Sequence, residues 1–382
     1  MNIEGLTQAA LDPGRADYLT HRLYRYPASM SPMIARSLIE NFSSEGDLLL
    51  DPFCGGGTTA IEGIALGRRV VCSDISPLAC FVTRAKATPI SNGSLTKYCL
   101  WYLKENKILE NYHPRQLKSL EINGKKYSPI TYSTILKLMN DAEKIADPAA
   151  RRLAQLVVLN VAKKSFDCRS KSTPPYLVRQ LFQRASHETN MCMRKYLSSV
   201  KENAVDNINR KSFQVIQCDA KNLATKISSY KNKFSLVVTS PPYPGVHVLY
   251  NRWQLFGRRE TDLPFRLLGF DNDCPASFYT MGTRENHSMK EIYLENIERI
   301  LTALYKLLAP KGIIAQVIAF PKNDGHIIEY SELMMKVGFF PIKSHASIVK
   351  RHVPNRKWYT QVANNSRQPI EHIFIYQKKW KE

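Results

Sequence analysis

Several features that mark other protein classes are missing from this 382-residue chain. Its eight cysteines form no CxxC pair and no His/Cys cluster at zinc-binding spacing, so reduced, mostly buried thiols are expected and no metal site. No apolar run approaches the ~20 residues of a membrane span, and no membrane partner is expected. The amino terminus, MNIEGLTQAALDPGR, lacks the basic-then-apolar pattern of a secretory signal, which makes a cytoplasmic protein the expectation. Internal repeats and low-complexity tails are also absent. Acidic residues are in deficit: 54 Lys and Arg face 33 Asp and Glu, a net charge of +21. An enzyme for a small neutral substrate rarely needs that excess, whereas a polyphosphate partner rewards it through counterion release. The length suits one large α/β domain with an insertion, or two domains.

What is present centres on Phe234 to Tyr243, FSLVVTSPPY. Phe234, Leu236, Val237 and Val238 read as a buried strand of a parallel sheet, ending at Thr239. Ser240-Pro241-Pro242-Tyr243 then falls at the carboxyl end, where open α/β sheets bind ligands. Two consecutive prolines restrict the backbone and remove two donors. Their carbonyls are left to accept, beside a small hydroxyl and an aromatic face. That set suits gripping a flat base by its exocyclic amine, and it also fits a merely stiffened loop. Thr173-Pro174-Pro175-Tyr176 is nearly the same string, but the polar, basic KKSFDCRSKS before it is no buried strand. That copy reads as a turn or helix entrance.

Gly46 to Asp74 is the partner motif. Leu48-Leu49-Leu50 is a short buried strand and Asp51-Pro52-Phe53-Cys54-Gly55-Gly56-Gly57-Thr58-Thr59 a turn. A helix follows from Ala60, Gly67 caps it, and a second strand leads to Asp74. This is a β-α-β unit with a glycine-rich first turn and an acid about 20 residues on, as nucleotide-binding folds require. The acid can hold two ribose hydroxyls. No Gly-Lys-Ser/Thr follows, which excludes a phosphate-cradling P-loop. Upstream, Tyr24, Tyr26 and Pro27 lead into a helix from Pro32, with Ser31 placed as N-cap.

From about residue 95 to 210 the strand–helix alternation breaks. Tyr98 to Leu109, Thr134 to Ala146, Ala149 to Lys164 and Pro175 to Val205 read as helices, and Asn123-Gly124 as a turn. Lys97 to Ser212 holds 22 basic and 10 acidic residues, over half the excess charge, which favours a nucleic-acid face over a solvated helical surface. The sheet resumes at Phe213, in a strand leading to Asp219. After Tyr243, aromatics (Tyr250, Trp253, Phe256) alternate with Arg252, Arg258 and Arg259. Such a segment suits either backbone clamping with base stacking or an ordered core loop. A helix over Lys290 to Leu308, a turn at Pro310-Lys311-Gly312, a strand over Ile313 to Phe320, a helix near Ile327 to Val337 and a strand over Glu371 to Gln377 complete the chain. Arg351 to Arg367 is a second candidate contact loop.

With these parts together, the chain resembles the amino-methyltransferases that use S-adenosyl-L-methionine to methylate exocyclic amines of DNA bases. DPFCGGGTT looks like that family's cofactor loop, TSPPY like its catalytic motif in the form commonest among cytosine-N4 enzymes, and HRLYRYPASM like the aromatic segment before the loop. The resemblance covers everything except the basic insertion. It implies an α/β, Rossmann-like methyltransferase fold with a mostly parallel central sheet, its cofactor half in 1–95 and its catalytic half in 211–382. The helical basic insertion, 96–210, is expected to bind DNA and to recognise the target. By the same resemblance, Asp51 meets the cofactor's amino group and Phe53, Gly55, Gly57 and Thr58 line the loop. Asp74 holds the ribose, Asp219 accepts from the adenine amine, and Tyr26 with Pro27 closes the methionine end.

Ser240, Pro241, Pro242 and Tyr243 carry the chemistry in this reading. The Ser240 hydroxyl and the Pro241 carbonyl accept the amine's hydrogens, which lets its nitrogen pyramidalise and attack the methyl in line, while Tyr243 stacks on a base drawn out of the duplex. Cytosine N4 in double-stranded DNA is the implied target. Adenine N6 and RNA guanine N2 stand as alternatives, and a restriction endonuclease acting on the same site is an allied partner. A carbon-5 cytosine mechanism needs a Cys nucleophile, typically in Pro-Cys; here Cys274-Pro275 runs in the reverse order. Of the rivals, a dinucleotide oxidoreductase explains Gly55 to Asp74 but neither SPPY nor the charge. A nucleic-acid binder on a dead fold leaves the intact motifs unexplained.

Overall fold

The computed structural model describes residues 5, 8, 9, 18–26, 29–122, 125–166, 173–202, 212–243, 253–255, 259–270, 287–320, 324–342, 348–352 and 370–379. Among these the strands are β1 (Leu48–Asp51), β2 (Arg69–Asp74), β3 (Glu121–Ile122), β4 (Lys125–Lys126), β5 (Phe213–Gln217), β6 (Phe234–Thr239), β7 (Trp253–Leu255), β8 (Arg259–Thr261), β9 (Leu308–Ala319), β10 (Phe339–Pro341), β11 (Ile348–His352) and β12 (Ile370–Lys378).

The main sheet runs β10-β12-β9-β6-β1-β2-β5, with β11 added on β12. β5, β2, β1, β6 and β9 are parallel, while β12 is antiparallel to β9, β10 and β11. The chain moves outward from β1 through β2 to β5, then crosses back to place β6 on the other side of β1. The order therefore reverses between β1 and β6, at the crevice where such sheets bind ligands. Both faces are covered, which is why the strands read as unbroken apolar runs. Leu49, Val70, Cys72, Leu236 and Val238 pack in one hydrophobic cluster, and Leu48, Leu50, Val71 and Val237 in the other. With its antiparallel β12 set between β9 and β10, this is the Rossmann-like methyltransferase fold.

Local signals place most elements within a few residues of expectation. Pro32 opens the Pro32–Phe42 helix, although the Ser31 side chain makes no capping bond. Gly67 ends the Thr58–Ala65 segment at φ +77°, a conformation glycine adopts without strain. The turn expected at Pro310-Lys311-Gly312 lies instead inside β9. Lys311 takes φ +61° and the register against β6 shifts between Phe234 and Leu236, so the breakers make a bulge rather than a strand end. The second proline motif behaves as expected, since Pro175 begins the Pro175–Glu202 helix and Tyr176 is 67 % exposed.

The insertion contributes the helices Asn92–Ile108, Pro129–Glu143, Pro148–Phe166 and Pro175–Glu202. Pro148–Phe166 packs against the other three and against the Pro77–Ala87 helix under the sheet. Its apolar side joins the hydrophobic cluster of that sheet face, so the insertion thickens the helical layer. Lys97, Lys104, Lys107, Lys144, Lys164, Arg184, Arg194 and Lys195 lie exposed on its outside. The Asn123-Gly124 turn lies outside the described residues, between the paired β3 and β4. No described helix is long and apolar enough to cross a membrane.

Candidate active site

Two acids end two adjacent central strands. Asp51 closes β1 and Asp74 closes β2. Cys54 donates its backbone N–H to Ser73 (2.9 Å) and Gly57 to Cys54 (2.6 Å), folding the glycine loop back over the strand ends. Gly55 and Gly57 have φ +45° and +81°. A Cβ on Gly57 would come within 3.2 Å of the Thr83 backbone, so the loop tolerates no larger residue there. The loop carbonyls are tied from below: Thr83 Oγ1 donates to Gly55 (3.1 Å) and Lys86 Nζ to Gly56 (2.8 Å). Lys86 is buried, and desolvation pulls its ammonium down to about 7. Sequence reasoning missed this residue, because nothing in a helical lysine announces a loop clamp.

Asp74 receives Gly55 N–H on one oxygen and Ser76 N–H on the other, both at 2.9 Å. Asp51 Oδ1 receives Thr239 Oγ1 at 2.6 Å and Phe53 N–H at 3.1 Å. Burial pushes both carboxyls up to about 6, against these hydrogen bonds, which hold them down. Asp219 lies just beyond β5, where Cys218 N–H meets Asp74 O at 3.0 Å. Its carboxylate accepts from Lys221 N–H (2.9 Å) and pairs with Lys221 Nζ (3.3 Å). Phe53 is half-buried at the loop's start, and Thr58 is buried with its hydroxyl toward Met30 O (3.4 Å).

The Tyr26 ring covers the glycine loop; a Cβ on Gly55 would stand 3.5 Å from it and one on Gly56 only 2.9 Å from its own Cβ. The segment that carries it is fixed by Glu62, fully buried, which takes His21 Nε2 at 2.6 Å, Tyr18 at 2.8 Å and Arg36 at 3.2 Å. Burial pushes the His21 imidazole down, opposed by Glu62. Pro27 lies outside the described residues. Two paired acids at adjacent strand ends, an open-backbone glycine turn and an aromatic lid form a donor and acceptor set that fits a nucleoside bearing an amino acid tail.

Ser240-Pro241-Pro242-Tyr243 adjoins this set directly. The Thr239–Asp51 bond crosses from β6 to β1, and Thr59 Oγ1 adds a second tie to Val238 O (3.0 Å). Ser240 is partly exposed and donates to Val317 O at 2.9 Å, with Tyr243 at 3.3 Å. With the hydroxyl proton committed there, its lone pairs are left to accept. Tyr293 donates to Pro242 O (3.0 Å); among the described residues no donor meets the Pro241 carbonyl.

Two expectations need correcting, and the open choice between a contact segment and a core loop is decided for Trp253. Tyr243 is not an open stacking platform: it is 8 % exposed, packed in the core, with its phenol donating to Glu371 Oε1 at 3.0 Å. Trp253 is core too, 2 % exposed, its indole N–H on Tyr24 at 3.0 Å; Tyr250, Arg252, Phe256 and Arg258 lie outside the described residues. Arg351 sits on β11, buried and paired with Glu371 at 2.9 Å, so it does not belong to a contact loop; residues 353–367 lie outside the described residues. Burial also pushes the Cys54 and Cys72 thiols up, in keeping with packing roles.

A family model described as DNA methylase (N6_N4_Mtase) matches residues 11–84. A Type II methyltransferase of Kocuria varians, M.MvaI, is 43% identical over 82 residues, 21% of this chain and 18% of that protein. M.BsoBI, a Type II methyltransferase of Geobacillus stearothermophilus, is 23% identical over 252 residues, 58% of this chain and 49% of its own length. A tRNA (guanine(10)-N2)-dimethyltransferase of Methanothermobacter thermautotrophicus is 50% identical over 56 residues, 14% of this chain and 16% of that protein. The chain thus spans less than half the length of each of these relatives.

Proposed function

We propose that this chain is an S-adenosyl-L-methionine-dependent DNA amino-methyltransferase that modifies the exocyclic N4 amine of cytosine in double-stranded DNA. The observation that carries the reading is the Thr239–Asp51 hydrogen bond, which joins the cofactor loop to Ser240-Pro241-Pro242-Tyr243 at the sheet's switch point. S-adenosyl-L-methionine is the cofactor and supplies an electrophilic methyl on sulfur. Asp74 holds its ribose, Asp51 its amino group and Asp219 the adenine amine, with Tyr26 over the methionine end. Ser240 and the Pro241 carbonyl accept the hydrogens of the target amine, localising its lone pair on nitrogen. Positioning of this kind supplies much of the rate. The serine form of the motif supports cytosine, and the family match and the Type II relatives support DNA. A restriction endonuclease with the same recognition site is the partner this implies.

Mass spectrometry of nucleosides from treated DNA is the test, with N4-methylcytosine expected. N6-methyladenine would overturn the base assignment alone. Methylated guanosine in tRNA, with no methylated DNA base, would replace DNA by RNA, the substrate class printed for the Methanothermobacter relative.

The insertion binds the DNA backbone in this reading. Lys163 has another role, donating to Arg25 O (2.7 Å) and lying 4.9 Å from the Tyr24 ring, and is left out of the contact set. Lys164, Arg184, Arg194 and Lys195 are exposed. Changing these four to glutamine is expected to flatten the salt dependence of DNA binding by up to about 0.9 log unit per lost phosphate contact. An unchanged slope in fluorescence-anisotropy titrations would assign them to a solvated face.

A further inference from the structure

Behind the catalytic serine runs a line of buried polar groups that the motif does not announce. Arg351 on β11 and Glu371 on β12 are cross-strand partners, both almost fully buried, joined at 2.9 Å through Glu371 Oε2. Glu371 Oε1 receives the Tyr243 phenol at 3.0 Å, and the phenol oxygen lies 3.3 Å from Ser240 Oγ. The geometry points to Glu371 as a positioning residue that sets the hydrogen-bond polarity of Ser240 through Tyr243, a role that rests on the serine's place in the proposed chemistry.

A carboxylate only accepts. Held by Arg351, it compels the Tyr243 hydroxyl to donate toward it, and the phenol oxygen then presents lone pairs toward Ser240. The serine proton has two acceptors on one side, the phenol and Val317 O. Ser240 is thereby fixed as an acceptor toward the target amine. An amide at 371 has an N–H of its own, which can turn the phenol round to donate to Ser240 and occupy the lone pair the amine needs.

The test is a double-mutant cycle of Glu371→Gln and Tyr243→Phe, with Ser240→Ala as control. Glu371→Gln is expected to lower kcat about 10-fold, with cofactor Kd and KM for DNA unchanged, whereas Tyr243→Phe, which has no phenol to turn round and keeps Val317 O as the serine's acceptor, is expected to stay within about twofold of wild type. The double variant is expected to be no worse than Tyr243→Phe, because the carboxylate acts through the phenol. Additive losses, or losses tracking lower thermal stability, would overturn the role. Tyr243→Phe keeps the ion pair, so it decides the matter even where Glu371→Gln does not fold; a 10-fold loss of kcat in that variant also overturns it, because the phenol would then act directly. An active Ser240→Ala would instead sink the proposed chemistry itself, which separates the two failures.

Discussion

Replacing Ser240 with alanine is expected to lower the rate of methyl transfer about 10²-fold, the usual cost when a reacting group loses its positioning partner. Cofactor affinity is expected to stay at the wild-type value. The split follows from where the residue stands. Ser240 is one position past β6, its proton given to Val317 O on β9, while the acids of the cofactor set end β1 and β2 on the other side of the Thr239–Asp51 bond. Alanine removes the acceptor and leaves that bond untouched. Single-turnover kinetics on duplex DNA, with calorimetric titration of S-adenosyl-L-methionine, measure the two quantities separately. A rate within twofold of wild type would take Ser240 out of the chemistry.

Replacing Asp74 with alanine is expected to reverse that split. Charge-assisted bonds from ribose hydroxyls to a carboxylate are among the stronger hydrogen bonds, and losing them should cost about 2–3 kcal/mol of cofactor affinity. Wild-type affinity in a folded variant would remove Asp74 from the site. The pH dependence supplies a second check. Desolvation pushes Asp74 up to about 6, so wild-type cofactor affinity is expected to be flat above that pH and to fall below it as the carboxylate takes a proton. Stability of the free protein moves the other way. A carboxyl raised on folding binds its proton more tightly in the folded state, so its stabilising contribution is present in acid and lost as pH rises through about 6. Asp74→Asn, neutral throughout, should therefore lose affinity at pH 7.5 and lose the pH dependence near 6, with some loss of thermal stability because its amide nitrogen cannot accept from the backbone N–H that one carboxylate oxygen now receives. On the proposed reading, the site keeps an unfavourable carboxylate because the ribose needs it.

Much of this site was legible in the residues. Strand periodicity put Asp51, Asp74 and Ser240 at carboxyl ends, and the glycines between the acids specified a turn that only small residues can make. What stayed hidden is long-range register. Glu371 meets Tyr243 across 128 positions, and a Glu on a last apolar strand gives no sign of facing a phenol. Arg351 looked like a contact residue, and Trp253 fitted either a contact segment or a core loop, because basic and aromatic residues in apparently irregular segments suggest binding. Their burial depends on partners, Glu371 and Tyr24, that composition does not reveal. The partner of Lys163 was equally hidden, since a helical lysine in a basic run gives no hint that a backbone carbonyl 138 positions away awaits it. The Lys311 bulge was missed because Pro-Lys-Gly signals a turn whether or not the strand resumes its pairing.

The separation of 188 positions between Asp51 and Thr239 also sets a timetable for synthesis. The ribosome adds ~5–20 residues per second, so the partner of β1 emerges roughly 10–40 s after β1 itself. Throughout that interval the flank of Leu48–Asp51 that β6 will cover is an unpaired strand edge, of the kind that invites pairing with other chains. The pairing of β1 with β6 therefore waits until the helices of residues 92–202 have been made.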